Sequence, residues 1–236
     1  MLQDIFTQGT LEMSDAPVAA AVRAIRWGDV LSNRILAVVV IGAVLLDLSD
    51  LMQIFPKIMD CIRRWKANIG MEHSLSIARS RNISAMIWTA AFCLAADRLD
   101  LYPARWMDRI PAGWTVAAMF GIALAYVLVR KILSLVAMPR RLGAEKSQAA
   151  HCAIYTYFIA FAVAALCTMG IMMVLHSPEE SVRSVILWMF AAFWLLSFVR
   201  TAGILASQYG VLTTFLYLCA LEILPAGLVV ASAVFL

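Results

Sequence analysis

Apolar residues in this chain fall in long blocks rather than in an alternation or a one-sided stripe. Six blocks are long enough to cross a hydrocarbon layer about 30 Å thick as helices. They are Leu31–Phe55, Ile83–Leu101, Trp114–Met138, Ala149–Leu175, Val182–Ser207 and Val211–Leu236. The fourth contains no Asp, Glu, Lys or Arg, whereas the first two are the most interrupted. A membrane β-barrel would show segments of about ten residues with alternating polarity, and no such segments are visible. The pattern predicts an all-α, polytopic transmembrane helical bundle with about six spanning helices.

Two segments carry the spacing of interfacial helices. Ile58, Ile62, Trp65 and Ile69 recur at helical intervals, and Lys57, Arg63, Arg64 and Lys66 fill the remaining turn. A basic amphipathic helix of this kind lies on an anionic leaflet, the alternative being a helix packed beneath the bundle. Ala16–Leu31, with Val18, Val22, Ile25 and Trp27, reads as a second such helix. With no internal repeat or low-complexity tract, the organisation reads as an N-terminal tail over residues 1–30 and one transmembrane domain over residues 31–236.

Composition agrees. Of 236 residues, 63% are hydrophobic and 14% charged, whereas a soluble domain carries about 25% charged residues. Twelve of the nineteen Lys and Arg residues fall in the connections after the first, third and fifth blocks or toward the adjoining ends of those blocks, and seven fall on the opposite side. The positive-inside rule then assigns the basic connections to the cytoplasm and both termini to the opposite, outward side of the membrane. Residues 1–30 include Asp4, Glu12, Asp15 and Asp29 and lack the basic start, apolar core and cleavage site of a signal peptide. The first span is therefore expected to direct insertion. Trp27, Trp88, Trp106, Trp114 and Trp188 lie near the expected span ends, as interfacial tryptophans do. The net charge of +4 reflects topology signals and not nucleic-acid binding. The lipid bilayer is the expected partner, joined by membrane-protein partners or a second copy of the chain.

Candidate chemistry centres on Glu222, the one charged residue of the last block, with Pro225 three positions on. Intramembrane ionisable groups usually have a partner or a task. Glu222 lies roughly 18 Å of helix rise from the Gly210 turn, and Arg200 in the preceding block lies about 15 Å from the same turn. A Glu222–Arg200 pair would neutralise both charges, whereas an unpaired Glu222 would be free to handle protons or ligands. Pro225 removes a backbone donor and crowds the carbonyl of Leu221, so a kink is expected around the carboxylate. Arg130 and Lys131, which interrupt the third block, read as snorkelling contacts to lipid head groups, along with Arg63, Arg64 and Lys66. His151, with Tyr155 and Tyr157, is a weaker proton-shuttle candidate.

Asp47/Asp50 and Asp97/Asp100 have a metal-like spacing but belong to opposite ends of their spans, so each pair reads as wetting a helix end, with Asp97 beside Arg98 as a local pair. The pairs Gly121/Ala125, Ala160/Ala164 and Gly227/Ala231 have the spacing of close helix contacts. The five cysteines show no metal-site spacing and read as packing residues. No nucleophile motif, phosphate loop or dinucleotide fingerprint occurs. No cofactor, metal site or catalytic residue is assigned.

The terminal stretch Phe215–Pro225, reading FLYLCALEILP, resembles the closing motif of an uncharacterised family of Bacteroidota multi-pass inner-membrane proteins, a domain of unknown function. The Phe55-Pro56-Lys57 exit from the first block is also similar. The resemblance implies a multi-pass inner-membrane protein and brings no activity with it. The first functional reading is a non-enzymatic component that assists or anchors a membrane assembly. The alternative is a small-solute or proton-coupled transporter using Glu222, and a lipid-modifying enzyme ranks third.

Overall fold

A computed structural model describes residues 27–64, 67, 74–111, 113–137, 144–206 and 210–235. Among them every regular element is helical. The long helices are α1 (Leu31–Arg63), α2 (Leu75–Arg98), α3 (Thr115–Ala137), α4 (Ala144–Val174), α5 (Glu179–Ala206), α6 (Val211–Leu218) and α7 (Leu224–Phe235). A π-turn, Cys219–Ile223, joins α6 to α7. The all-helical expectation is met. Five segments are long and apolar enough to cross a membrane: Leu31–Arg63, Thr115–Ser134, Ala153–Val174, Glu179–Ala206 and Leu212–Phe235. The second block, now α2, is not among them. Its Arg79, Arg81 and Arg98 dilute its apolar character, and it packs between α1, α3 and α4.

Side chains that touch across the bundle fix its direction. At the upper end, where α1 starts and α7 finishes, the Trp27 indole donates to Asp97 at 2.7 Å. The Tyr102 and Ser232 hydroxyls share a hydrogen bond of 2.6 Å. At the lower end, Tyr157 donates to the carbonyl of Cys61 at 3.0 Å and Arg200 to that of Ile62 at 2.7 Å. Helices α1 to α5 therefore alternate in direction, and α6, the π-turn and α7 return together as one last segment.

The core lies along α2 and α4. Leu51, Ile54 and Ile58 of α1 pack on Ala85 and Trp88 of α2 and Ile159 of α4. Phe92, Phe161 and Phe190 meet through edge-on rings from three helices, an arrangement that the ring quadrupoles favour. Large apolar side chains also point outward along the spans, including Val38, Leu46, Trp188 and Val230. A soluble monomer rarely exposes apolar surface on this scale, whereas lipid accepts it. The protein is a membrane protein with a helical bundle.

Several local expectations change. The basic segment after Phe55 is not a separate interfacial helix: α1 continues through Pro56 to Arg63, with Ile58 buried and Ile62 packed on the core. Its apolar stripe covers its own bundle. Trp65, Lys66 and Ile69 lie outside the described residues, as does the proposed amphipathic segment before Trp27. Residues Trp27–Asp29 form a single 3-10 turn against the bundle. Trp88 is buried rather than interfacial, while Trp114 and Trp188 are exposed as interfacial anchors would be. A methyl group built on Gly121 or Gly227 would meet nothing within 4 Å, so neither small-residue pair mediates packing inside this chain.

Candidate functional site: a buried ion pair between α3 and the terminal helix

Pro225 determines the local backbone around Glu222. Proline has no N–H, and its ring would clash with the carbonyl four residues back in a regular α-helix. The chain answers with the π-turn, in which the Leu224 N–H donates to the carbonyl of Cys219 five residues earlier. The extra residue in the turn lets both Leu221 and Glu222 face inward, in line with Thr214, Leu218 and Pro225. Where a kink was expected the backbone makes a π-turn, a form that recurs at functional sites.

The partner is Arg130, not Arg200. The Arg130 guanidinium donates through Nη2 to Glu222 Oε1 at 2.5 Å, and the two side chains are 3% and 0% exposed. Depth explains why the pair forms. Arg130 lies about 22 Å of helix rise below the start of α3, and Glu222 about 20 Å below the end of α7. The π-turn also packs directly on α3. Arg200 misses because it lies only about 9 Å above the lower end of α5, where it turns to the end of α1 and holds the Ile62 carbonyl. Sequence depth pointed to Arg200 alone, and Arg130, read there as a headgroup contact, takes its place.

Burial also removes Arg130 from the set of headgroup contacts. Lys131, Arg63 and Arg64 remain exposed, and Lys66 lies outside the described residues. Glu222 Oε2 is buried without a hydrogen-bond partner among the described residues. Tyr126, one turn before Arg130, lies within electrostatic range of both charges. The arrangement can hold a charge pair away from water and accept one more hydrogen bond at Oε2.

A second polar centre lies at a similar depth between α1 and α2. Asp47 accepts from the Ser84 hydroxyl at 2.9 Å and from the Trp88 indole at 3.0 Å, and all three side chains are buried. Asp50 is exposed, so the Asp47/Asp50 pair does not converge. Asp97 accepts from Trp27 and from Thr115 at 3.2 Å rather than pairing with Arg98, while Asp100 faces Arg183 at 4.0 Å. Sequence analysis missed Asp47 as an organising residue. The available signal was Ser84 and Trp88, two donors one turn apart on the next helix. It also missed Arg81, a buried arginine whose guanidinium donates to Asn82 Oδ1 at 3.0 Å.

The side chain of His151 lies outside the described residues, and Tyr157 is committed to the Cys61 carbonyl. Among the described residues no group of three or more His, Cys, Asp and Glu side chains is placed to hold a metal ion. No family model, curated protein or solved structure matches this chain.

Proposed function

We propose that the chain is a non-enzymatic component of an inner-membrane assembly, with its basic lower end in the cytoplasm. The Arg130–Glu222 pair carries this reading. The two charges within the bilayer depth are spent on each other, tying the terminal helix to α3, as a structural role requires. Outward-facing apolar surfaces on α1 and α5 are then available to lipid and to partner helices. The terminal motif around Glu222 and Pro225 supports the kinship with Bacteroidota inner-membrane proteins.

A second reading, a proton-coupled transporter, is favoured by one specific observation: Glu222 Oε2 is buried beside a π-turn without a hydrogen-bond partner among the described residues. Glu222→Gln separates the two. For an assembly component, the substitution lowers the melting temperature in mild detergent and removes partners that co-purify with the wild type, as read by mass spectrometry. Unchanged melting with loss of pH-driven solute uptake in proteoliposomes would favour the transporter.

Orientation has its own test. Glu180 lies in the exposed first turn of α5 and Lys57 on the exposed face of α1 near the lower end. E180C is expected to react with a membrane-impermeant maleimide added to intact spheroplasts, and K57C only after lysis. The reverse pattern inverts the topology.

A further inference from the structure

A groove of about 190 Å³ runs along the contact between α3 and α7 toward the upper end. Its walls are apolar, formed by Ile122 and Val129 on one side and Leu228 and Val229 on the other. Pro225 and Tyr126 close the deep end, next to the buried ion pair. Tyr102 and Trp106 stand at the mouth, and the Tyr102 hydroxyl is occupied by Ser232. The walls run for about 10 Å of helix rise on each helix, from about 10 to 21 Å below the start of α3 and from about 4 to 15 Å below the end of α7. The groove opens sideways, because Ala125 and Leu228 on its rim are exposed. Its open flank therefore faces the hydrocarbon, from the upper leaflet down to about the midplane, and not water.

Charge identifies the occupant. The connection that supplies Tyr102 and Trp106 also carries Arg105 and Arg109, both exposed and without an ion-pair partner among the described residues. Asp108 between them is already engaged in an interaction of its own. Two guanidiniums with no ion-pair partner among the described residues, on the connection that forms the mouth of an apolar groove, match an amphiphile with an anionic head. Tryptophan at the junction suits the same boundary between head and tail.

We infer that this groove binds one acyl chain of an anionic phospholipid whose phosphate rests against Arg105 and Arg109. A zwitterionic lipid would bring its own ammonium to the same two guanidiniums and bind less well. The site is separate from the basic residues of the lower end and does not depend on the functional reading above.

Native mass spectrometry tests the proposal on the full chain purified in mild detergent, delipidated and titrated with phosphatidylglycerol or phosphatidylcholine. The wild type is expected to retain one phosphatidylglycerol at least tenfold more strongly than phosphatidylcholine. Ala125→Trp, which fills the groove from its exposed rim, is expected to lose that lipid with its melting temperature unchanged. Arg105→Gln/Arg109→Gln is expected to keep the groove and lose the preference between the two lipids. Equal retention of both lipids by the wild type overturns the proposal, as does undiminished phosphatidylglycerol retention by either variant. A wild-type dimer that Ala125→Trp disperses would also overturn it, by showing a second copy of the chain in the groove.

Discussion

Arg130→Met is expected to destabilise the folded protein by about 3–5 kcal/mol, the range found when one partner of a buried ion pair is removed. The methionine fills much of the arginine's space, so the loss comes from the carboxylate left behind. Glu222 is fully buried, and its Oε1 then loses the guanidinium that holds it at 2.5 Å. No water reaches this depth of a bilayer at low cost, so the stranded group must either find a new partner or pull the terminal helix away from α3. Unfolding by sodium dodecyl sulfate, followed by circular dichroism, reads the loss directly. A Lys131→Met control one residue on is expected to change stability by less than about 0.5 kcal/mol, because Lys131 is exposed.

Asp47→Leu is expected to have the second largest effect, for a different reason. Its carboxyl oxygens receive the Ser84 hydroxyl and the Trp88 indole inside the contact between α1 and α2. Removing the acceptor leaves two buried donors unsatisfied, each worth about 1–3 kcal/mol. The loss should shrink when the donors are removed as well, since replacing both sides of a buried hydrogen bond by apolar groups approaches neutrality. Adding Ser84→Ala and Trp88→Phe to Asp47→Leu is thus expected to recover part of the stability in the same unfolding assay. If Asp47→Leu alone is as stable as the wild type, this centre does not hold α1 to α2.

The helical blocks were legible because lipid imposes a length and a composition on any segment that crosses it. The ends were less legible. The first block ran on as α1 to Arg63 because apolar residues after Pro56 cover α4, and composition does not distinguish a stripe facing lipid from one facing a neighbour. Glu222 was found from its isolation in an apolar run, and the need for an arginine partner followed from its burial. The identity of that arginine depended on helix phase and on the π-turn. Neither is encoded in depth alone. Arg130 was hidden by its neighbour: Lys131 does reach the surface, and the two adjacent charges read as one snorkelling pair although a helix turns them to different faces. Asp47 was hidden by the same ambiguity, with Asp50 suggesting a shared role that the helix does not permit.

A double-mutant cycle on Arg130 and Glu222 tests the central claim most directly. Arg130→Met, Glu222→Leu and the combined variant are compared with the wild type by the same unfolding assay. The pair predicts that each single variant loses about 3–5 kcal/mol and that the combined variant loses less than either, because an apolar pair replaces a buried ionic one without stranding a charge. Losses that simply add in the combined variant would show that the two residues act independently, and would contradict the account.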